Sequence, residues 1–254
     1  MTPDGNDQAQ DHPCHFSREN GGDLIVSAAD HLRGVLSPSG GPYWKANTPR
    51  QKACLKEWGR NLGLLLTPDT WINDFQKGGQ EHDFYDPRNG DRIFKLTRDG
   101  VFGLTPGIEL ALVASGEDAR RFHLWEASPI DYLERLHLQN LFTLDLNRLE
   151  GLVFDSEELS ILTSQPRFEI NPVSQEEIDE WFISLGFKKV TTAAYYREAD
   201  NLGIFDAHDK NVVRASDTLV PFDIIPCHPD EGFLDFIQDS LEAGSTLSAV
   251  RTTR

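Results

Sequence analysis

The sequence is poor in cysteine, methionine and basic residues. Its 254 residues include three cysteines, one methionine and 24 basic residues against 41 acidic ones, which gives a net charge of −17. The three cysteines are widely spaced (Cys14, Cys54 and Cys227), which excludes a disulfide framework and a zinc-binding pattern. The acidic excess argues against nucleic acid or an anionic membrane as the main partner.

Long apolar runs are also missing. The first 15 residues contain no apolar core of the kind that a signal peptide needs, and no run approaches the ~20 apolar residues of a membrane span. We therefore expect a cytoplasmic protein. Residues 1–22 are polar and too poor in apolar side chains to offset the entropy of ordering them, so we expect a disordered tail there.

Two helices are predicted in residues 23–66, which we interpret as an N-terminal helical extension. Apolar residues from Leu24 to Val35 follow helical spacing, and SPSGGP then ends the element. Thr48-Pro49 is typical of a helix start, and the apolar stripe that follows predicts a helix that ends near Leu66.

Residues 71–96 read as strand, glycine turn, strand, turn and strand. Aromatic and β-branched residues alternate with turn formers, and Gly78-Gly79 lies at the first turn. Lys95 lies on the last of these strands and shares a face with Ile93 and Thr97. A lysine in this place can reach back under a glycine turn toward bound phosphates.

Further elements follow at regular intervals. Ser128-Pro129 predicts a capped helix, residues 149–163 predict a hairpin, and Ser164–Pro166 look like a connector that leaves the sheet. A capping box at Ser174 opens another helix that ends at Gly186. Tyr195-Tyr196 are expected in a strand and 233–241 in an amphipathic segment.

The most informative stretch is 203–226, GIFDAHDKNVVRASDTLVPFDIIP. It places Asp206, His208, Asn211 and Asp223 on short strands and the loop between them. Oxygen ligands gathered in this way indicate a metal-phosphate site when a lysine and a glycine turn also occur. Taken alone, the loop also fits an Asp/Asn-rich surface turn. A metal-phosphate site is favoured because the loop occurs together with Lys95, the D-x-x-x-x-N spacing and the later aspartate.

This order of features resembles the protein-kinase-like superfamily. The phrases GGQEHDFYD, RIFKLT, NRLEGLV, LTSQP, EEIDEWFISLGF, DAHDKNVV and PFD look like the kinase domain found in polyvalent proteins of phages and mobile elements. The resemblance runs from about residue 71 to residue 226. It implies an α+β, two-lobed fold with an antiparallel sheet in an N-lobe (67–165) and a compact, mainly helical C-lobe (166–254) that ends in a polar tail.

The resemblance also implies roles for individual residues. Asp206 corresponds to the catalytic aspartate that orients the attacking hydroxyl, and Asn211 and Asp223 correspond to Mg²⁺ ligands. Lys95 corresponds to the lysine that contacts the phosphates. Gly78 and Gly79 correspond to a reduced glycine loop, and Gln165 is a further nucleotide-binding residue. Glu134 is the helix carboxylate expected to orient Lys95, and Glu109 and Glu126 are the alternatives for that role.

The reaction implied is transfer of the γ-phosphate of ATP to a hydroxyl, most simply on serine, threonine or tyrosine of a protein. Kinases of the aminoglycoside-phosphotransferase type have a histidine at the position that corresponds to His208. A small-molecule acceptor is therefore an alternative. The sparse glycine loop leaves open a nucleotide-binding pseudokinase that acts as an interaction module, and AMP transfer also occurs on such folds. Phe205 replaces the arginine that precedes the catalytic aspartate in many protein kinases, so control by activation-loop phosphorylation is not expected.

Overall fold

A computed structural model describes residues 20–35, 44–88, 90–112, 118–143, 146–155, 157–169 and 171–243. Contacts divide the chain into two compact units. The first unit comprises Met1–Gly103, Ala127–Asn140 and Leu144–Arg167, and the second comprises Leu104–Glu126, Leu141–Thr143 and Phe168–Arg254. Most of the predicted tail lies outside the described residues, and the four predicted regions with their boundaries stay a prediction.

Five helices and fourteen strands are found in the described ranges, so the fold is α+β. The helices are α1 (Gly21–Val35), α2 (Trp44–Asn61), α3 (Pro129–Gln139), α4 (Gln175–Ser184) and α5 (Glu231–Ala243). The strands are β1 (Leu65–Leu66), β2 (Gln76–Lys77), β3 (His82–Tyr85), β4 (Arg92–Thr97), β5 (Leu104–Leu112), β6 (Asp118–Glu126), β7 (Arg148–Asp155), β8 (Glu158–Pro166), β9 (Lys188–Thr191), β10 (Ala194–Arg197), β11 (Leu202–Phe205), β12 (Val212–Ala215), β13 (Thr218–Pro221) and β14 (Ile225–Cys227).

The first unit is built on a six-stranded sheet in the order β1-β7-β8-β4-β3-β2. Its pairs are antiparallel except β1 with β7, which is parallel, so the predicted purely antiparallel sheet is wrong at this edge. Helices α1, α2 and α3 supply side chains to one buried core together with β7 and β8. The two helices of the predicted N-terminal extension, α1 and α2, therefore bury their apolar faces in the same core as α3.

Another apolar cluster of this unit is rich in aromatic residues. Phe94 and Leu96 point away from Lys95 and pack with Trp71 and with the side chains of β7 and β8. Residues 70–74 form a 3₁₀ helix rather than the predicted strand, because the Asp69 carboxylate accepts a hydrogen bond from the Thr70 N–H at 2.7 Å and starts a tight turn.

Helix α2 differs from its predicted limits at both ends. It begins at Trp44, so that Pro49 lies inside it, and it ends at Asn61 instead of near Leu66. Gly63 has a φ of +65°, and the Leu64 N–H donates to the Gly59 carbonyl at 2.7 Å. A glycine in this left-handed conformation ends a helix, and the chain then enters β1.

The second unit contains a four-stranded antiparallel sheet in the order β14-β11-β10-β9 and two hairpins, β5-β6 and β12-β13. Helix α5 packs against this sheet through its aromatic side chains. Strands are as prominent as helices here, so the predicted mainly helical C-lobe is wrong in composition. The short β-branched and aromatic runs around Tyr195 and Ile204 form β10 and β11.

Two further features bear on the protein class. No helix in the described part of the chain is both long enough and apolar enough to cross a membrane. No disulfide is recorded for Cys54 or Cys227 within the described residues, and Cys14 lies outside them.

Candidate active site

The candidate catalytic aspartate, Asp206, directly follows a fully buried strand in the second unit. Strand β11 pairs with β10 on one side and with β14 on the other, so its end is fixed from both edges. Phe205, the last residue of β11, stacks between Phe122 at 5.2 Å and Phe233 at 5.3 Å, measured between ring centroids. The phenylalanine found where many kinases have arginine is therefore part of an aromatic core that anchors the loop.

The loop that follows is shaped by hydrogen bonds between its own residues. The backbone N–H of His208 donates to the Asp206 carbonyl at 3.0 Å, and that of Asn211 donates to the His208 carbonyl at 2.9 Å. Asp206 itself has a φ of +58°, a left-handed conformation that aspartate tolerates better than most residues. The predicted D-x-x-x-x-N spacing thus corresponds to a compact turn.

The Asn211 side chain connects the two ends of this turn. Its Nδ2 donates to the Asp206 backbone carbonyl at 2.7 Å and to Asp206 Oδ2 at 3.0 Å. Because both acceptors are oxygens, they fix which end of the amide is nitrogen. Asn211 Oδ1 accepts no hydrogen bond within the described ranges and is the oxygen that this buried residue can offer to a metal ion.

The β12-β13 hairpin brings Asp223 back to the same turn. Strand β12 begins directly after Asn211, and β13 ends at Pro221, which pairs with Val212. The Asn211 carbonyl accepts hydrogen bonds from the N–H groups of Phe222 at 3.0 Å and Asp223 at 3.4 Å. The structure therefore brings Asp206, Asn211 and Asp223 together through direct hydrogen bonds, although the sequence separates Asp223 from Asn211 by a complete hairpin.

His208 adds an imidazole to this cluster. Its Nδ1 accepts from the Lys210 N–H at 3.1 Å, so the neutral ring carries its proton on Nε2, which lies 3.6 Å from Asp206 Oδ1. No cluster of three His, Cys, Asp or Glu side chains that could hold a metal occurs in the described ranges. Mg²⁺ does not require one, because it is usually bound by one or two carboxylates together with substrate phosphates and water.

The glycine turn lies in the first unit, between β2 and β3. A methyl group at Gly78 would lie 2.5 Å from the His82 carbonyl oxygen, whereas one at Gly79 would meet no atom within 4 Å. Gly78 is therefore required by the backbone of the hairpin itself. Gly79 has no such requirement and is exposed.

Lys95 lies on β4, as predicted, opposite Phe84 on β3 and Thr163 on β8. Helix α3 crosses the same face, because Tyr132 Oη lies 3.0 Å from His82 Nε2 and 3.4 Å from Thr163 Oγ1. A helix thus covers the lysine-bearing face of the sheet, as the resemblance implies for the helix that offers a carboxylate.

The predicted helix carboxylate, Glu134, points elsewhere. Its described partner is Arg33 of α1, whose Nε donates to Glu134 Oε1 at 2.8 Å. Glu134 lies two residues after Tyr132 and so on a different side of α3, away from the sheet. The structure pairs Glu134 within the helical layer, and its role beside Lys95 stays a prediction. The rivals Glu109 and Glu126 lie on strands β5 and β6, so neither is a helix carboxylate.

Gln165 does not lie in a connector. Ser164, Gln165 and Pro166 belong to β8 and pair with Phe94, Ile93 and Arg92 of β4, so the prediction that they leave the sheet is wrong. Arg92 holds this end of the ladder by donating from Nε to Ser164 Oγ at 2.8 Å. The Gln165 side chain is buried, and its Oε1 has no hydrogen-bond partner in the part of the chain that the structure describes.

Sequence reasoning missed the residues that hold the glycine turn. Arg135 of α3 makes a two-pronged ion pair with Glu81, in which Nη1 lies 3.1 Å from Oε2 and Nη2 contacts Oε1. His82 Nε2 lies 3.1 Å from Glu81 Oε1 and also contacts Tyr132. In the sequence, Glu81 and His82 stand out only as a polar pair shortly after the glycine turn. The sequence does not indicate that they contact α3.

One family model matches the chain. Residues 120–226 match the family described as serine/threonine/tyrosine kinase found in polyvalent proteins. The matched segment includes Glu134, Gln165, Asp206, Asn211 and Asp223, and it confirms the resemblance there. The glycine turn and Lys95 precede it.

Comparison with curated proteins gave no match, and comparison with solved structures gave none either.

Proposed function

We propose that this chain is a kinase-like phosphotransferase that moves the γ-phosphate of ATP to a hydroxyl in a Mg²⁺-dependent reaction, with serine, threonine or tyrosine of a protein as acceptor. The family match supports the kinase-like activity. The observation that carries the rest is the hydrogen-bonded cluster of Asp206, Asn211 and Asp223 in the second unit.

The oxygen donors of this cluster suit Mg²⁺. The Asn211 amide nitrogen donates to two oxygens of Asp206, so Oδ1 is the atom of this side chain that is proposed as a metal ligand. Asp223 is exposed, and its backbone N–H donates to the carbonyl of Asn211. Asn211 and Asp223 would hold the ion, which would supply positive charge to offset the negative charge of the phosphates during transfer.

Asp206 is suited to orient the acceptor. In the transfer, the bond from the acceptor oxygen to the γ-phosphorus forms, the bond from that phosphorus to the bridging oxygen breaks, and ADP leaves. The acceptor proton passes to the Asp206 carboxylate. Asn211 Nδ2 orients this carboxylate through its hydrogen bond to Oδ2, and the carboxylate is the proposed base for the hydroxyl proton.

The first unit provides the predicted phosphate contacts. Lys95 is proposed to contact the phosphates, and the amide of the exposed Gly79, next to Gly78, is proposed to approach a phosphate oxygen. Gln165 offers an unpartnered buried carbonyl oxygen that is suited to accept a hydrogen bond from a nucleotide base. The assignment of Glu134 beside Lys95 rests on the resemblance alone, because its described partner is Arg33.

A small-molecule acceptor is the second candidate, because His208 is held with its Nε2 proton directed toward Asp206. Incubation with γ-labelled ATP and either a protein mixture or a metabolite pool separates the two. Label in protein supports the first candidate and label in metabolites supports the second. A nucleotide-induced thermal shift without label transfer would indicate a pseudokinase, and an added AMP mass in a product would indicate AMP transfer.

The decisive variant is Asp223→Ala, assayed for transfer of the γ-phosphate. We expect activity to be abolished, because a ligand that positions the metal and the phosphates is lost. Asp217→Ala is the matched control, since Asp217 is an exposed aspartate in the turn of the same hairpin. Unchanged turnover in Asp223→Ala would contradict the mechanism.

A further inference from the structure

The loop that carries Asp206 is held at Ala207, the residue between Asp206 and His208. Ala207 is fully buried. Its N–H donates to the Ala193 carbonyl at 3.0 Å, and its carbonyl accepts from Gln175 Nε2 at 3.2 Å. Both backbone groups of this residue are thus bound by elements outside the loop, namely the turn between β9 and β10 and the first residue of α4.

The backbone on both sides of this contact is in a sparsely populated conformation. Asp206 and Ala193 each have a φ of +58°. Residues other than glycine persist in this region only where their surroundings determine it. The hydrogen bonds of Ala207 lie at the point where such a constraint is needed, directly after Asp206.

Gln175 is itself fixed by two side chains. Its Nε2 donates to Tyr195 Oη at 2.9 Å, and Tyr195 Oη donates to Asp179 Oδ1 at 2.5 Å. Gln175 and Asp179 lie four residues apart on one face of α4, and Gln175 Nε2 is 3.3 Å from Asp179 Oδ1. An amide nitrogen has two protons, and the shorter contacts direct them to Tyr195 and Ala207.

The protonation states of Tyr195 and Asp179 agree with Tyr195 as the donor and Asp179 as the acceptor. Burial and the neighbouring Asp179 raise the pKa of Tyr195, so its hydroxyl keeps the proton that it donates. Burial would raise the pKa of Asp179, but the hydrogen bonds from Lys189 and Tyr195 outweigh this and lower it, so Asp179 stays a carboxylate acceptor. The Tyr195 ring stacks on Phe182 at 4.4 Å between centroids.

We propose that Gln175, Tyr195 and Asp179 are positioning residues that hold the Asp206 loop in its reactive conformation through the Ala207 carbonyl. The expected effect of these residues on turnover rests on the proposed function. None of the three is proposed to touch ATP, the acceptor or the metal ion, so they act on the turnover step through the backbone of the loop.

Two variants test this role by kinetics. Tyr195→Phe removes the oxygen that fixes Gln175 and keeps the stacked ring, and Gln175→Met removes the donor and keeps the chain length. We expect each to lower kcat about tenfold with less than about a twofold change in the KM for ATP. Because both act along one path, the double variant should be no slower than Gln175→Met. Tyr196→Phe is the control, since Tyr196 Oη donates to Asn201 Oδ1 at 3.2 Å and, among the described residues, makes no hydrogen bond to Gln175 or to residues 206–211.

Hydrogen exchange of the backbone amides of residues 205–211 separates this proposal from the proposed function. Tyr195→Phe and Gln175→Met should speed exchange in this segment at least about fivefold, and Tyr196→Phe should not. Faster exchange in a protein that transfers no phosphate would leave the positioning role standing and reject the proposed function. Unchanged exchange in both variants would overturn the positioning role at any level of activity.

Discussion

The two regions that carry the predicted phosphoryl-transfer residues are held in different ways. In the second unit, residues 206–223 are joined to one another by their own backbone and by the Asn211 amide, and Gln175 of α4 adds a hydrogen bond to the Ala207 carbonyl. In the first unit, the glycine turn is held by side chains distant in sequence, since Arg135 lies 54 positions after Glu81 and Tyr132 lies 50 after His82. A locally supported site is visible as a spacing in the sequence, and a site supported by distant side chains is not.

The largest effect is expected in the locally supported region. Asp206→Asn should lower kcat about a hundredfold or more, which is about 2.7 kcal/mol of transition-state stabilisation, because the amide cannot accept the hydroxyl proton. Asparagine tolerates the left-handed backbone of this position, so the melting temperature should change little. Steady-state kinetics together with thermal unfolding measure both quantities. A variant that keeps its kcat would remove Asp206 from the reaction.

A smaller effect is expected when the support of the glycine turn is weakened. Glu81→Gln removes the charge that Arg135 binds, and we expect a loss of about 1 kcal/mol in ATP binding, or about fivefold in KM, with little change in kcat. Glu158→Gln is the matched control, because it breaks the Lys52 ion pair of 2.5 Å in the same unit without touching the turn. Equal KM values in the two variants would show that the turn does not depend on Arg135.

The smallest effect concerns pH. The pKa of Asp179 is lowered below its ordinary value of 3.8 in the folded protein, so Asp179 contributes stability above that pH and loses this contribution as pH falls through the folded pKa. The difference in the free energy of unfolding between wild type and Asp179→Asn should therefore shrink below pH 3.8. Urea unfolding from pH 7 to pH 3 measures this difference. A difference that does not depend on pH would contradict the ion pair between Asp179 and Lys189.

Much of the fold was predictable because its signals are local. The capping boxes at Ser128 and Ser174 start α3 and α4 as expected, and Gly186, with a φ of +85°, follows the end of α4. Strand β4 and the hairpin of β7 and β8 also lie where alternating residues indicated. These features depend on neighbours within a few residues along the chain.

The remaining features depend on tertiary contacts. Ser164–Pro166 end a run of small and polar residues that reads as a linker, yet they stay in the sheet because Arg92 binds Ser164. Glu134 looks like the central carboxylate of its helix, but the orientation of α3 gives it to Arg33. The closeness of Asp223 to Asn211 required the β12-β13 hairpin to close, which the spacing of the two residues alone does not specify.

The most direct test of the central claim is the binding of Mn²⁺ with ATP, followed by the electron paramagnetic resonance signal of free Mn²⁺. The account predicts that wild type and Asp217→Ala bind the metal-nucleotide complex equally and that Asp223→Ala binds it at least about tenfold more weakly, because an anionic oxygen ligand is lost. Equal binding by wild type and Asp223→Ala would contradict the assignment of the metal to the cluster of Asp206, Asn211 and Asp223.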